Sequence, residues 1–504
     1  MLRFKNLICA VFLASLMIFA ATVEAAELVI LHTNDFHARV LNTDDRGKSM
    51  GLAEMVAAIK TLKSQNKNTL WLDAGDTFHG MPAINISKGE NMLNFLNIAG
   101  LNAMAPGNHD FNYGIDTLIN LDKKAKFDIL AANLVYKEND KLVLKSYKIF
   151  KMPNGLKIGV FGLATPETAY KARPDLVRNV NFLDPYRVAK RMVKQLRPQC
   201  DVIIAVTHLG VLESSDFSSI TLAKKVDGID LIVDGHSHTI LPSGLTINDT
   251  LIVQTGSHAY NLGKATIELD GKKITAKNAE LLDADEVKEI NPTPDKNIVQ
   301  AIDKMNRDNQ KIFGQVISQN DKALSGEYEK VRTQEMELGD LIADAFRWRT
   351  GSDIAFMNGG GIRGDLPKGN VTYGNVIEIF PFGNQLQVVE IPGKNIREML
   401  EHGVFEYPDT FGGFLQVSGL RFEFFTNNPV GSRIGEIFVN NSPLDDNKIY
   451  TLATLDFLIE GGDGYDMLKN LLVIGKFGTC EEVLIDYLKE VGAKNIDTGR
   501  IIKK

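Results

Sequence analysis

The sequence contains few cysteines and has no strong excess of either charge. Three cysteines occur in 504 residues, which is too few for a fold built on disulfides. Cys200 and Cys480 lie far apart in the chain, so we expect two buried, free thiols, whereas Cys9 lies in an N-terminal apolar run. The net charge of −7 lacks the basic footprint of a protein that binds nucleic-acid duplexes.

The sequence also lacks two widespread catalytic motifs. No GxxxxGK stretch followed by Ser or Thr occurs, which excludes a P-loop. No GxSxG elbow occurs either, which argues against a serine hydrolase. The hydrophobic content of 44% and the charged content of 24% are ordinary for a globular chain, and a length of 504 residues makes two domains the default expectation.

The N-terminal segment has the pattern of a secretory signal peptide. Arg3 and Lys5 precede an apolar run from Leu7 to Ala21, and small residues follow. A membrane anchor is the alternative, but the run is short for a spanning helix and no second apolar stretch of about 20 residues occurs later. We therefore assign residues 1–26 to a signal peptide and expect a periplasmic or secreted protein without a membrane span.

Strand-like and helix-like segments alternate after this signal. Apolar residues at helical spacing predict helices over residues 51–63, 91–99 and 185–196, with strand-like runs between them. This alternation is typical of α/β proteins. We interpret residues 27–291 as one α/β domain.

The pattern changes near residue 292. Pro292 and Pro294 interrupt the chain, and the apolar positions that follow mark one face of a helix. We interpret residues 292–313 as a linking helix, with an ordinary surface helix of the first domain as the alternative. Residues 314–504 then form a second domain, with a predicted helix over residues 338–348.

Five apolar runs in the first domain share one design. Each is short and strand-like, and Asp, Asn or His follows it closely. The runs and their polar followers are Leu28–Thr33 with Asp35 and His37, Thr69–Leu72 with Asp73 and Asp76, Leu101–Ala105 with Asn108, His109 and Asp110, Val202–Val206 with His208, and Leu231–Val233 with Asp234, His236 and His238. Because open α/β folds place their sites where strands end, we expect these side chains to meet at one edge of a sheet.

Carboxylate, imidazole and amide groups in such loops suit a divalent metal ion and a charged substrate. Five of the nine histidines lie in these loops. The other four, which are His32, His79, His258 and His402, we interpret as structural. A self-hydrogen-bonded turn is the alternative for any single loop, but five repeats of one design favour a metal site.

The second domain carries glycine-rich motifs of a different kind. They read MNGGGIRGD from Met357, FPFGN from Phe380 and LDFLIEGGDG from Leu455. Three glycines before Arg363 expose backbone N–H groups, and the guanidinium offers a fork for a phosphate or a carboxylate. A plain turn is the alternative for the glycine triplet.

Eight short motifs of this chain, taken together, resemble those of a known enzyme family. LHTNDFH, LDAGDTF, GNHD, THLG, GHSH, NGGGIR, PFGN and FLIEGGDG, in this order, resemble the motifs of the secreted bacterial 5′-nucleotidase family. That family includes periplasmic UDP-sugar hydrolases and 2′,3′-cyclic-nucleotide phosphodiesterases. The resemblance covers the whole mature chain.

The family implies an α/β fold with an N-terminal calcineurin-like metallophosphoesterase domain of layered α/β structure, a linking helix and a C-terminal nucleotide-binding domain. It implies a dinuclear-metal hydrolase that removes phosphate from nucleotides, foremost a 5′-nucleotidase. The alternatives are hydrolysis of 2′,3′-cyclic nucleotides, 3′-nucleotides or UDP-sugars, and, more distantly, a nucleotide-binding protein without turnover. We expect a monomer that binds a small nucleotide.

The resemblance also implies roles for individual residues. One divalent ion would be held by Asp35, His37, Asp76 and His238, and a second by Asp76, Asn108, His208 and His236, so that Asp76 bridges them. Zinc, manganese and cobalt all suit such mixed N and O ligands. His109 would face the phosphate. In the second domain Arg332 and Arg363 would hold phosphate and ribose, Phe382 and Phe457 would sandwich the base, and Asn358 and Asp463 would hydrogen-bond base and sugar.

One position departs from the commonest form of the family's motif. The family has Glu after the catalytic His and Asp two residues further on, where this chain has Asp110 and Asn112. The family's Asp pairs with the catalytic His, and an amide supplies no charge, so we expect His109 to be neutral over more of the working pH range. Asn112 followed by Tyr113 and Gly114 resembles the cyclic-nucleotide phosphodiesterase branch, whereas FPFGN and GGDG resemble the 5′-nucleotidase branch.

Overall fold

The computed structural model describes residues 26–41, 50–171, 176–211, 217–494 and 496–504. The predicted signal peptide, except its last residue, and Cys9 lie outside these ranges. The described chain forms two α/β units with separate hydrophobic cores. Cys200 and Cys480 are buried and free, as predicted. Within the described ranges, no helix combines the length and the apolar character needed to cross a bilayer.

Three of the five predicted runs lie side by side in one six-stranded sheet. In spatial order its strands are Lys273–Leu282, Leu262–Asp270, Ala26–Thr33, Thr69–Asp73, Ala103–Met104 and Asp128–Ile129. The last four strands are parallel, and the first two are an antiparallel pair at the edge. The carboxyl ends of the three predicted strands therefore open on the same edge.

The other two runs lie in a second six-stranded sheet. Its strands in spatial order are Leu245–Ile247, Thr250–Val253, Leu231–Val233, Val202–Thr207, Lys157–Leu163 and Tyr147–Lys151. The central four are parallel and the two outer strands are antiparallel. A separate two-stranded sheet pairs Leu134–Tyr136 with Val180–Phe182.

The two sheets pack face to face. Leu28 and Ile30 from the first sheet and Ile204 and Val206 from the second belong to one apolar layer. Successive side chains of a strand point to opposite faces, so the residues between them in sequence pack against helices on the outside. The first unit is thus a layered structure with helices outside two central sheets.

The helices of the first unit follow the predicted spacing. They are Leu52–Gln65, Pro82–Asn85, Glu90–Ala99, Ile115–Lys124, Thr168–Lys171, Pro185–Leu196, Ser219–Lys225 and Ala284–Ile290, with a 3₁₀ turn at His109–Phe111. The three predicted helices are confirmed. The helix at 185–196 starts where it does because the Asp184 carboxylate accepts hydrogen bonds from the backbone N–H groups of Tyr186 and Arg187.

The helix Lys296–Phe313 contacts both units. Asp295 caps its N-terminus, and Ile298, Ile302 and Met305 are buried in the core of the first unit. Near its other end, a Cβ on Gly374 would lie 3.1 Å from the Phe313 carbonyl oxygen. We keep residues 292–313 as the proposed boundary between the domains.

The second unit is built around a mixed five-stranded sheet. The strand order is Leu415–Ser418, Ile354–Asn358, Ile449–Leu455, Gln385–Pro392 and Val473–Thr479. A four-stranded sheet has the order Ser442–Pro443, Ile434–Val439, Leu420–Phe424 and Ile501–Lys503, and Val316–Asn320 pairs with Gly369–Thr372. The helices are Glu337–Thr350, Tyr373–Ile379, Gly393–Gly403, Asp456–Ile459 and Cys480–Glu490, with 3₁₀ turns at Gly359–Gly361, Gly462–Gly464 and Asp466–Leu468. The helix predicted over 338–348 is confirmed.

Candidate metal centre and active site

The five predicted loops meet at one place, but they come from two sheets. The expectation of a single sheet edge was wrong because Val202–Thr207 and Leu231–Val233 belong to the second sheet. Both sheets of the sandwich end on the same side, so their loops converge. The Ala74 carbonyl oxygen of the first sheet lies 2.6 Å from His208 Nδ1 of the second.

Two overlapping groups of acid and histidine side chains form the centre. Asp35, His37 and His238 make one group, and Asp35, Asp76 and His208 make the other, with the ligand atoms of each group within 4.8 Å of one another. His37 Nε2 lies 3.2 Å from His238 Nε2, and His208 Nε2 lies 3.1 Å from Asp76 Oδ2. Asp35 is common to both groups, whereas the resemblance assigns the shared position to Asp76.

The carboxylates of the centre favour a positive charge at this point. Burial acts to lower the pKa of His208, but the carboxylates of Asp76 and Asp35 raise it to about 10. Asp35 is 0% exposed and Asp76 is 2% exposed, so water screens these charges little. The same two buried carboxylates would stabilise a bound cation.

Asn108 and His236 complete the predicted ligand set. Both side-chain amide atoms of Asn108 are buried and lack a hydrogen-bond partner in the described part of the chain. Orphaned buried amides are rare, so this one fits a group that the protein binds. His236 Nε2 lies 2.9 Å from Glu167 Oε2, and its backbone N–H donates to the Asp35 carboxylate. Its Nδ1 is therefore the ring nitrogen left for a ligand role.

The loops hold these side chains on an unusual backbone. Five of the seven candidate ligands have positive φ, namely Asp35 at 50°, His37 at 45°, Asp76 at 55°, His236 at 77° and His238 at 52°. Residues other than glycine seldom adopt this region, and such conformations are found at functional sites. Two glycines allow the loops to approach. A Cβ on Gly75 would lie 2.3 Å from Gly107 N, and one on Gly107 would lie 2.2 Å from Asp76 Oδ1.

Asp110 ties two of the loops together. Its carboxylate accepts hydrogen bonds from the backbone N–H groups of Gly107, Asp76, Thr77 and Phe78 at 2.8 to 2.9 Å. Although this chain has Asp where the family's motif has Glu, both carboxylate oxygens accept hydrogen bonds. The carboxylate fixes the backbone that carries Asp76.

His109 lies beside this centre with Asn112. Its backbone N–H donates to Asp76 Oδ1 at 2.7 Å, and its Nδ1 lies 3.0 Å from the Asn112 amide nitrogen. Burial holds the pKa of His109 well below its ordinary value, against the opposing effect of the Asp76 carboxylate. This direction favours the neutral ring and comes from burial, so the effect of an amide at position 112 stays a prediction.

In the second unit, the predicted substrate residues form one surface. Asn358 Nδ2 donates to Asp463 Oδ2 at 2.8 Å, and the Arg363 guanidinium lies 5.0 Å from the centre of the Phe382 ring. Arg332 lies near Arg363 and Asp463: burial and the Arg363 charge lower its pKa. Phe457 packs against Gly462, where a Cβ would lie 2.5 Å from its ring.

This surface lies directly against the metal centre. The Arg39 guanidinium, two residues after His37, donates to the Phe382 carbonyl oxygen at 3.3 Å. Glu460, three residues after Phe457, places its Oε1 3.9 Å from His238 Nδ1. The two groups of predicted residues are therefore neighbours across the contact between the units.

Two residues of this region were missed by sequence reasoning. Glu167 follows the strand Lys157–Leu163 by four residues, so it is a sixth example of the design found in the five predicted runs. His79 is one of the four histidines interpreted as structural, yet its Nδ1 lies 3.3 Å from the Asn112 amide nitrogen. No pattern in the sequence marks His79, because its contacts come from distant parts of the chain.

The fold and the loops define a metallophosphoesterase, and family comparisons agree. Residues 28–239 match the calcineurin-like phosphoesterase family, and residues 316–470 match the family described as 5′-nucleotidase, C-terminal domain. The first family implies a divalent metal cofactor.

Individual relatives extend the likeness over nearly the whole chain. A snake venom 5′-nucleotidase of Crotalus adamanteus is 30% identical over 526 residues, which cover 92% of this chain and 87% of that protein. The trifunctional nucleotide phosphoesterase protein YfkN of Bacillus subtilis is 31% identical over 518 residues. The match covers 93% of this chain but only 34% of the length of YfkN. The crystal structure of a 5′-nucleotidase precursor from Thermus thermophilus is 32% identical with a TM-score of 0.57, over 95% of this chain and 99% of that one. The chain belongs to the 5′-nucleotidase family and is a phosphoric ester hydrolase.

Proposed function

We propose that this protein is a secreted, dinuclear-metal 5′-nucleotidase that releases phosphate from nucleotides. The observation that carries the proposal is the contact between two surfaces. A buried acid and histidine centre lies against the Phe382 and Glu460 segments, which carry the base-binding motifs. A nucleotide has a charged end and an aromatic end, and this contact offers a partner for each.

Seven side chains would hold the two ions. Asp35, His37, Asp76 and His238 are assigned to one ion, and Asp76, Asn108, His208 and His236 to the other. The convergence of the two groups, the orphaned Asn108 amide and the carboxylate field around His208 support this assignment. When bound, such a pair of ions supplies a hydroxide nucleophile and clamps the phosphate. The donor set suits zinc, manganese or cobalt.

His109 would act on the phosphate as a hydrogen-bond donor. It is buried next to Asp76 and is not assigned to a metal, so its free ring nitrogen is available to a phosphate oxygen. Such a donor stabilises charge that develops in the transition state. Asn112 would hold the other ring nitrogen.

The second domain would select the nucleotide. Phe382 and Phe457 are assigned to stack on the base, Arg332 and Arg363 to bind phosphate and ribose, and Asn358 and Asp463 to hydrogen-bond base and sugar. The Asn358–Asp463 hydrogen bond and the Arg363–Phe382 contact support a preorganised surface. We infer that the domains rotate about the Lys296–Phe313 helix to admit substrate and to close on it.

A second candidate activity is the hydrolysis of 2′,3′-cyclic nucleotides, 3′-nucleotides or UDP-sugars. Asn112 in place of the family's usual Asp favours the cyclic-nucleotide branch, and the Bacillus relative is named a trifunctional nucleotide phosphoesterase. Both candidates use the same centre.

The deciding experiment is hydrolysis of a panel of nucleotides, with the organic products separated by chromatography and inorganic phosphate measured beside them. The panel holds 5′-mononucleotides, 2′,3′-cyclic nucleotides, 3′-nucleotides and UDP-glucose, each with and without a chelator. We expect the highest kcat/KM on a 5′-mononucleotide and loss of activity on chelation, restored by zinc, manganese or cobalt. A higher kcat/KM on a cyclic nucleotide would assign the second activity. No product from any member would leave a nucleotide-binding protein without turnover.

A further inference from the structure

His79 lies at the contact between the two domains, behind the proposed catalytic histidine. It is 0% exposed, and its ring is nearly parallel to that of His109, with centroids 6.0 Å apart and planes 10° apart. Tyr113 packs on it with ring centroids 5.0 Å apart. A histidine that only fills space has no need of polar neighbours, but amide nitrogens lie within hydrogen-bond distance of Nδ1 of this ring and a carboxylate lies at ion-pair distance from its Nε2.

The Asn112 amide nitrogen lies between the two rings. It is 3.0 Å from His109 Nδ1 and 3.3 Å from His79 Nδ1. An amide NH₂ group has two hydrogens, so it is able to donate one to each ring. Both Nδ1 atoms must then be unprotonated, which places the ring proton of each neutral histidine on Nε2.

The second domain supplies the other partners of His79. Gln385 Nε2 is a second amide donor 3.4 Å from His79 Nδ1. On the opposite side, Glu482 Oε2 lies 3.6 Å from His79 Nε2, which is within ion-pair distance but slightly too long for a hydrogen bond. Burial acts to raise the pKa of Glu482, but its contacts with His79 and with the Thr479 backbone keep it below its ordinary value. Donors thus face Nδ1 and an ionised acceptor faces Nε2.

We propose that His79 is a positioning residue that, together with Glu482 and Gln385 of the second domain, fixes the Asn112 amide and through it the Nε2–H form of His109. This inference rests on the proposed function, in which His109 donates to the phosphate. Without an acceptor at position 79, one amide hydrogen of Asn112 loses its partner. The amide then turns its oxygen toward His109, favours a proton on Nδ1, and leaves Nε2 without a hydrogen to donate.

The arrangement links domain docking to the catalytic histidine. Gln385 follows the FPFGN motif, and Glu482 lies in the first turn of the helix Cys480–Glu490, so both belong to the domain that binds the nucleotide. When that domain is in place, His79 presents a lone pair to Asn112. Correct docking of the nucleotide-binding domain therefore prepares His109.

The test compares three single variants. We expect His79→Leu to lower kcat on a 5′-nucleotide about tenfold or more, since a positioned proton donor contributes about 10²–10⁴-fold, with KM and bound metal unchanged. His79→Gln should recover most of kcat, because its Oε1 accepts from Asn112 and its Nε2 donates to Glu482. Glu482→Gln should give a smaller loss and keep its helix cap, since Gln also serves in a capping box. Wild-type kcat in His79→Leu, or equal losses in Leu and Gln, would overturn the proposal.

A spectroscopic readout keeps the test independent of turnover. In ¹⁵N-histidine-labelled protein, long-range ¹H–¹⁵N correlations report which ring nitrogen of His109 carries the proton. We expect the proton on Nε2 in the wild type and a shift toward Nδ1 in His79→Leu, with His79→Gln like the wild type. A wild-type His109 protonated on Nδ1 would overturn the inference. If the wild type releases no phosphate at all, the proposed function fails while this measurement still decides the role of His79. Should His79→Leu not fold, Glu482→Gln carries the same two readouts.

Discussion

Glu167 Oε2 lies 2.9 Å from His236 Nε2, and the two side chains are only 6% and 10% exposed in the candidate centre. A carboxylate behind a metal-binding histidine fixes the ring and raises its basicity, and its loss typically costs 10–100-fold in metal affinity. We expect Glu167→Leu to weaken metal binding by about that factor. The metal affinity of Glu167→Gln should lie between those of the wild type and Glu167→Leu, because Gln keeps an acceptor oxygen but carries no charge.

The measurement is a competition titration of the metal against a chelator of known affinity. Glu138→Gln is the matched control, since Glu138 is an exposed acid of the same domain. If both Glu167 variants bind metal as the wild type and the control do, the contact between Glu167 and His236 has no part in holding the ion.

Asp76 is assigned to both ions in the proposed centre. We expect Asp76→Asn to remove nearly all hydrolysis, because one carboxylate would serve two metals and also accepts the His109 backbone N–H. Metal content and kcat are measured on the same preparation. Wild-type turnover by this variant, or full wild-type activity after exhaustive chelation, would contradict the two-metal assignment.

Phe457 is assigned to the base and not to the phosphate. Base–aromatic stacking contributes about 1–3 kcal/mol per base, so Phe457→Ala should lower kcat/KM on a 5′-nucleotide by about 5–150-fold. Hydrolysis of an aryl phosphate, which has no base, should change little. Phe438→Ala is the control for loss of a half-buried phenylalanine away from the proposed base site, since Phe438 lies in the four-stranded sheet. An equal loss on both substrates would show that Phe457 acts on stability or on the centre itself.

The sequence was most informative where a short apolar run ends in a polar residue. The runs before Asp35, Asp76, Asn108, His208 and His236 are all strands, and their loops converge. The division of these strands between two sheets was not predictable, because an apolar run looks the same in either sheet. The positive φ angles were also not predictable, since Asp and His are enriched in that backbone region but most of them lie outside it.

Contacts between the two domains were the other hidden feature. His79 and Glu482 are about 400 positions apart in a chain of 504 residues and meet only after both domains fold. Periodicity describes the face that a side chain takes in its own element, and it does not describe which distant element covers that face. The apparent isolation of His79 in the sequence led to its structural interpretation.

Asp340 provides a test of stability far from the metal centre. Its carboxylate is 0% exposed, and neither oxygen has a hydrogen-bond partner in the described structure. Arg500 Nε is 3.8 Å away, but that guanidinium donates its hydrogen bonds to Asp344 and to the Val417 carbonyl oxygen. Burial and the neighbouring Glu335 raise the pKa of Asp340 to about 9, against the opposing charge of Arg500.

The sign of the pH dependence follows from this raised pKa. Below the unfolded value near 3.8 the carboxyl is protonated in both states, so it adds no pH dependence. Between pH 4 and pH 9, roughly, the unfolded chain releases the proton while the folded chain keeps it, so the free energy of unfolding falls as the pH rises. Asn resembles the protonated acid and does not titrate. We therefore expect Asp340→Asn to match the wild type near pH 4 and to become more stable than the wild type as the pH rises, by up to about 1.4 kcal/mol per pH unit.

Thermal unfolding of both proteins across this pH range measures the difference. Asp303→Asn serves as the control, because Asp303 is exposed on the Lys296–Phe313 helix. We expect the Asp340→Asn and wild-type curves to diverge steadily as the pH rises and the control to follow the wild type. Parallel curves for Asp340→Asn and the wild type would mean that Asp340 is ionised in the folded protein and that Arg500 stabilises its charge despite burial.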